Sequence, residues 1–304
     1  MPINIPNELP AALALQDENI FVMTQERAEH QDIRPLELLF LNLMPNKIAT
    51  ELQYMRNLSN TPLQVNIDLL RIDSHAPKNT PVEHLETFYK DFAQICDRHY
   101  DGMIVSGAPL DRIDFSDVNY FKSLEKILSW GHEHVTSTLF SCWGVAAAMQ
   151  IFYSMPLYHR QEKLSGVYLH QRADSYDPLI RGFDDVFYAP QSRFIDFPVE
   201  KFEAIDAISV LASSKDTGVY LASSKDMRQV FVTGHPEYDT LTLDSEYRRD
   251  IGNGMSIDPP CNYYPHNNPQ LPPLCTWRSH GSMLFANWLN YYVYQETPYS
   301  FNTQ

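Results

Sequence analysis

An α/β fold, a mostly parallel sheet covered by helices, follows from three features of this sequence. Through the first half, apolar runs of strand length alternate with runs carrying one apolar stripe at helical spacing, the order expected of β–α units. Residues 135–149, VTSTLFSCWGVAAAM, pass from a β-branched, apolar strand into an alanine-rich helix with no loop between them. Candidate strands at 101–109 and 230–238 end in small or polar residues, and the carboxyl ends of strands are where such sheets build their sites.

The elements follow in order. The stretch up to about residue 31 contains prolines and is weakly periodic, which predicts an extended arm lying on a core at 32–304, all within one domain that ends in a C-terminal embellishment. RPLELLFLNL at 34–43 is the first buried strand, and Met44-Pro45-Asn46 breaks it. A helix over 47–58 follows, with Ile48, Leu52, Met55 and Leu58 on one stripe. Residues 63–72 alternate through Val65, Ile67 and Leu69 as the second strand. A polar loop at 73–81 leads to a helix over 81–97 with Leu85, Phe88 and Phe92 on one side. DGMIVSGAP at 101–109 is the third strand, 121–132 the next helix, and the elbow strand follows.

Periodicity is weaker beyond the elbow. Residues 155–168 carry Arg160, Glu162 and Lys163 ahead of Leu164-Ser-Gly-Val, and 181–193 read as a turn, a short strand and a loop. LASSKD occurs at 211–216 and again at 221–226. Two copies around Thr217-Gly218 suit a β-hairpin, since a solenoid needs at least ~3. The strand VFVTGHPEY at 230–238 comes next. Residues 241–251 read as a polar, solvated helix with Arg248 and Arg249, and 259–273, rich in Pro and Asn, as coil over the surface. A final helix at about 282–294 packs through Leu284, Trp288, Tyr291 and Tyr292.

Composition narrows the function. With 23 basic and 38 acidic residues the formal charge is −15, so the chain's own field opposes phosphates and excludes a nucleic-acid binder. Cys96, Cys142, Cys261 and Cys275 form no CxxC pair and read as free thiols of a reducing compartment. No basic segment followed by an apolar run opens the chain, and no apolar run approaches the ~20 residues of a membrane span. The expectation is a cytoplasmic enzyme with no membrane partner. His132, His134, His266 and His280 lack ligand spacing, so no metal site is expected.

The chemistry concentrates at two strand ends. Small Ser141 and Gly144 flank Cys142-Trp143 and allow the tight bend of a nucleophile elbow with sulfur in place of oxygen. The helix that follows offers free N–H groups and a positive dipole end that favour a thiolate. Against this, most free cysteines are small buried hydrophobes. The second strand end carries His235 and Glu237, which complete a set of nucleophile, base and orienting acid. Gly107, in the small-residue loop, can bring backbone N–H groups near an acyl oxygen.

With these residues placed, the chain resembles the homoserine O-acyltransferases, the homoserine O-succinyltransferases and O-acetyltransferases, over nearly its whole length. The resemblance rests on LNLMP at 41–45, SGAP at 106–109, TSTLF at 136–140 with Cys142-Trp143, EKLSGVY at 162–168, FVTGHPEYD at 231–239, NYYPHN at 262–267 and WRSHG at 277–281. It implies a class I glutamine amidotransferase-like (flavodoxin-like) fold and a homodimer. It also implies Cys142 as acyl-thioester nucleophile, His235 as base, Glu237 as its orienter, and Lys163, Ser192 and Arg249 as substrate contacts. L-homoserine and acyl-CoA would be the substrates, with no tightly bound cofactor. Trp143 N–H and one N–H from 107–110 are the candidate oxyanion donors. In the family, glycine at the position of Asp111 accompanies succinyl-CoA and glutamate accompanies acetyl-CoA. Aspartate matches neither, and its charge opposes a succinyl carboxylate, so acetyl-CoA is favoured while Arg112 keeps succinyl-CoA open. The rivals are a glutamine amidotransferase or cysteine hydrolase, a serine O-acetyltransferase, and a binding protein in which Cys142 is structural.

Overall fold

The computed structural model describes residues 3–6, 8–18, 34–72 and 79–298. These residues form one eleven-stranded sheet. The strands are β1 (Ile3–Asn4), β2 (Leu36–Leu41), β3 (Val65–Leu70), β4 (Tyr89–Lys90), β5 (Tyr100–Val105), β6 (Val135–Ser141), β7 (Tyr158–Arg172), β8 (Val186–Asp196), β9 (Ile208–Ser214), β10 (Gly218–Ser224) and β11 (Gln229–Val232). Their spatial order is β1-β3-β2-β5-β6-β11-β10-β9-β7-β8, with β4 also on β3. From β1 to β11 every neighbouring pair is parallel, and from β11 to β8 every pair is antiparallel.

The parallel half carries the helices that periodicity predicted. These are α2 (Lys47–Leu58), α3 (Val82–Phe88), α4 (Phe121–His134) and α5 (Trp143–Tyr153), preceded by α1 (Pro10–Asp17). Its strands are buried on both faces, β5 at every residue, because helices cover both sides of a parallel sheet. Two apolar clusters fill those layers, one containing Leu38, Phe40 and Trp288, the other Leu39, Met103 and Phe231. No helix among the described residues is long and apolar enough to cross a membrane.

Several elements depart from the sequence reading. The arm is not extended throughout: α1 starts at a proline, favourable at a first helical position, and buries Ala11, Ala12 and Leu15. The helix expected over 81–97 stops at Phe88, and Tyr89–Lys90 joins the sheet. The expected loop at 73–81 falls mostly outside the described residues. The short strand and loop at 181–193 is instead the eleven-residue β8, paired along most of β7. The repeat is a hairpin, β9 against β10. Residues 259–273 are irregular, but Tyr263 and Tyr264 are buried with Val167, Tyr238, Leu243 and Trp277, so this coil is part of the packing. The last helix runs from Arg278 and continues as a π-helical turn, Trp288–Tyr294.

One buried cation joins the two halves. Arg193 on β8 is fully buried and donates to Ile195 O at 2.8 Å, Thr217 O at 2.6 Å, Thr233 O at 3.5 Å and the side chain of Gln191. None of these partners is a carboxylate. Burial therefore lowers its pKa, to about 10, although the charges of Cys142 and Asp196 oppose that shift.

Candidate active site

Cys142 stands at the corner between β6 and α5 with φ 49° and ψ −113°. Its neighbours impose this. The Cys142 N–H donates to Val232 O at 2.8 Å, continuing the β6–β11 ladder in which Val232 lies opposite Ser141, yet α5 begins at the next residue. Strand becomes helix within one residue, and the side chain is turned onto the wall of a cavity of about 210 Å³. Gly144 permits the close start of α5, since a Cβ there would lie 3.0 Å from Ser106 O and 3.1 Å from Val105 O.

β11 is the strand next to β6, and His235 follows it by three residues. Adjacent parallel strands end at the same edge, so His235 reaches the same cavity as Cys142. His235 N–H donates to Pro190 O at 2.9 Å, its Nδ1 lies 2.8 Å from Glu237 Oε1, and Tyr238 stacks on its ring at 4.1 Å. Glu237 is buried behind the imidazole and does not line the cavity. Burial opposes a charged imidazole here, but the negative charges of Cys142 and Glu237 outweigh it and raise the His235 pKa well above its ordinary value. Both neighbouring charges thus favour a protonated imidazole, and the Glu237 carboxylate holds the ring from its Nδ1 side.

The oxyanion candidates lie beside the sulfur. A Cβ on Gly107 would be 3.2 Å from Cys142 Cβ and 3.8 Å from Trp143 N, so the loop backbone runs along the elbow. Trp143 is the first residue of α5, where helix geometry leaves the N–H without an intrahelical partner. Leu110 N–H is engaged with Ala108 O at 2.8 Å and Pro109 has none, which leaves Gly107 and Ala108 as loop donors.

Asp111, Lys163, Ser192 and Arg249 line the cavity together with Cys142 and His235. Lys163, on β7, is not a surface lysine: its side chain is 7% exposed and its Nζ lies 2.7 Å from Asp250 and 3.6 Å from Glu246. Ser192 Oγ donates to Glu246 Oε2 at 2.5 Å. Arg249 reaches Asp250 Oδ1 at 2.7 Å. Burial raises the Asp250 pKa, but hydrogen bonds from Lys163 and Arg249 outweigh it and hold the carboxyl below its usual value. Asp111 Oδ2 accepts the Phe194 N–H at 2.6 Å, and the Arg112 guanidinium lies over the Phe194 ring at 5.0 Å.

The helix read as solvated, α7 (Thr242–Gly252; α6 is Val199–Glu203 and α8 Arg278–Asn287), instead forms a wall of the site. Arg248 does face outward, paired with Asp244 at 2.8 Å. Arg249 lines the cavity with Glu246 and Asp250, two residues the sequence reading missed. Their signal was present: positions 246, 249 and 250 share one helical face. Tyr238, also missed, links the two regions, stacking on His235 and donating to Glu246 Oε1 at 2.8 Å.

A family model described as homoserine O-succinyltransferase matches residues 2–299. A protein of Succinatimonas hippei named homoserine O-acetyltransferase is 67% identical over 98% of this chain and 99% of its own. One of Tolumonas auensis named homoserine O-succinyltransferase is 58% identical over 100% of this chain and 96% of its own. Among solved structures, a glutamine amidotransferase of Thermotoga maritima superposes with a TM-score of 0.54 at 12% identity, covering 86% of this chain and 100% of its own. One from Methylobacillus flagellatus gives 0.54 at 9% identity over 90% and 99%. These likenesses establish the class I glutamine amidotransferase fold.

Proposed function

The chain belongs to the homoserine O-succinyltransferase family and is a homoserine O-acyltransferase, and we propose that it moves an acetyl group from acetyl-CoA through a Cys142 thioester to the γ-hydroxyl of L-homoserine. The observation that carries the mechanism is one cavity holding Cys142 and His235, the imidazole backed by the Glu237 carboxylate at 2.8 Å. The Cys142 thiolate attacks the thioester carbon, and the N–H groups of Trp143 and of Gly107 or Ala108 stabilise the oxyanion. When the tetrahedral intermediate collapses, the C–S bond to coenzyme A breaks and the departing thiolate takes the His235 proton. Acylation removes the charge on sulfur that helped hold that proton, so the imidazole is left neutral. It then accepts the homoserine hydroxyl proton as oxygen attacks the acyl-enzyme, and loss of the ester restores the thiolate–imidazolium pair. The order is ping-pong.

Asp111 supports acetyl as the donor group. Its carboxylate lines the cavity and is tied to Phe194 N–H, so it opposes a second carboxylate on the acyl chain. The S. hippei relative named an acetyltransferase points the same way. Succinyl-CoA is the second reading, favoured by Arg112 on the same wall and by the names of the relatives at 58% identity. Intact-protein mass spectrometry after mixing with either donor, without acceptor, decides between them. An acetyl adduct absent from Cys142→Ala is expected, and a succinyl adduct alone overturns the donor assignment. Asp111→Gly should shift the kcat/KM ratio toward succinyl-CoA by ~10-fold or more, the ~1.4 kcal/mol of one unfavourable charge contact. The same reading includes a cytoplasmic homodimer, and light scattering at twice the chain mass is the expected result.

A further inference from the structure

We propose that Tyr54 and Ser141 are positioning residues of the triad: with one water between them, their hydroxyls supply the second oxygen of Glu237 and so hold the His235 imidazole in line with Cys142. This rests on the acyl-transfer reading of the cavity, which neither residue lines.

Three buried oxygens lead to it. Glu237 uses Oε1 on His235 Nδ1 at 2.8 Å, while its Oε2 has no hydrogen bond among the described residues. The Tyr54 and Ser141 hydroxyls are likewise unbonded there. All three residues are deeply buried, Tyr54 and Ser141 at 1% exposure and Glu237 at 5%. A buried carboxylate oxygen without a donor is costly. One water needs two to four polar partners, and these atoms offer three.

The fold brings them together. Leu139 on β6 packs in the same apolar layer as Tyr54, and alternate strand residues share a face, so Ser141 turns toward α2 while Cys142 turns to the cavity. Tyr54 is fixed on α2 by Phe40 and Phe285, ring centroids 4.9 Å and 5.8 Å away. On either side of it α2 is bound to the His235 turn. Gln53 Nε2 donates to Thr242 Oγ1 at 2.9 Å, Arg56 pairs with Asp239, and Asn57 borders a surface recess with Glu237. Burial and the charges of Glu237 and Cys142 raise the Tyr54 pKa well above its ordinary value, outweighing the Ser141 hydroxyl beside it. The phenol therefore keeps its proton and can only help an anion as a donor. A carboxylate held at one oxygen can still rotate, whereas one held at both fixes the plane of the imidazole it orients.

Steady-state kinetics of Tyr54→Phe test this, because the ring and its packing stay and one oxygen goes. kcat should fall ~10-fold or more, the range for a hydrogen bond to a charged group, while KM for acyl-CoA and for homoserine changes less than ~2-fold. Ser141→Ala should act in the same direction, and it carries the test if loss of the phenol unfolds the chain. In a Glu237→Ala background each replacement should change kcat by less than ~2-fold, since the carboxylate it acts through is gone. An unchanged kcat in both single variants overturns the proposal. So does a loss of equal size with and without Glu237, which would give the hydroxyls a role in packing alone. A high-resolution crystal structure supplies a readout independent of turnover: density for a water bonded to all three oxygens is expected, and its absence, or another donor on Glu237 Oε2, overturns the proposal. Failure of the wild type to release coenzyme A from acyl-CoA would instead sink the thioester mechanism, with the crystal structure left to judge Tyr54 and Ser141.

Discussion

Cys142 combines a strained backbone with an ion pair, and each has a measurable consequence. At φ 49° a residue with a Cβ is strained where glycine is not. Cys142→Gly should therefore be more stable than Cys142→Ala by ~1 kcal/mol in denaturant unfolding, with both inactive. Glu237→Gln removes one of the charges that keep His235 protonated, so the imidazole loses its proton at lower pH. The alkaline limb of kcat/KM should move to lower pH, and kcat should fall ~10²–10⁴-fold, the range for disabling a general base. Cys142, His235 and Glu237 were legible because each lies at or just beyond the end of an apolar strand. Lys163, Ser192 and Arg249 were not, since nothing local separates Lys163 from a surface lysine or Arg249 from Arg248. The resemblance supplied them. Glu246 and Asp250 went unread because a helix rich in charge looks solvated unless something is known to pack against it.

Among the elements, the C-terminal coil does more than cover. Trp277 Nε1 donates to Tyr238 O at 3.0 Å, Tyr264 Oη to Asp244 Oδ1 at 2.5 Å, and Tyr263 Oη to Thr240 O. These bonds fasten the His235 turn and α7 to a single aromatic cluster. The coil is itself clamped to β7 at Cys261, whose N–H donates to Ser165 O at 2.9 Å while its carbonyl accepts the Val167 N–H at 2.8 Å. Gly166 lies at the centre of that clamp with φ +146°, and a Cβ there would meet Cys261 O at 2.4 Å. Gly166→Ala should destabilise the protein by ~2–4 kcal/mol and raise KM for homoserine, because the displaced coil no longer holds α7. Thermal unfolding and steady-state kinetics check the two effects. Periodicity revealed α2, α4 and the parallel strands because each is buried on a defined face. It failed on β7, whose first half is partly exposed and rich in charge, so strand alternation is lost there.

For the whole molecule, the antiparallel half contributes a buried base to the stability balance. His170 on β7 is fully buried, and burial together with the nearby charge of Arg193 pushes its pKa down to about 3. The unfolded chain then binds a proton near pH 6.5 that the folded chain refuses, so this stability is present above pH 6.5 and is lost progressively as pH falls toward 3. The loss is ~1.4 kcal/mol per pH unit, or ~2 kcal/mol between pH 7 and 5. His170→Phe, placed among Phe187 and Tyr220, should abolish that part of the acid sensitivity in denaturant titrations at the two pH values. The sheet order has a further consequence, for the timing of folding. β11 lies between β6 and β10, so the two strands that align sulfur and imidazole are adjacent in space while the whole antiparallel half intervenes in sequence. Such a closure is entropically late. After dilution from denaturant, helical circular dichroism should recover before catalytic turnover, and a ribosome-bound chain that has not yet released β11 should carry an elbow with no base to serve it.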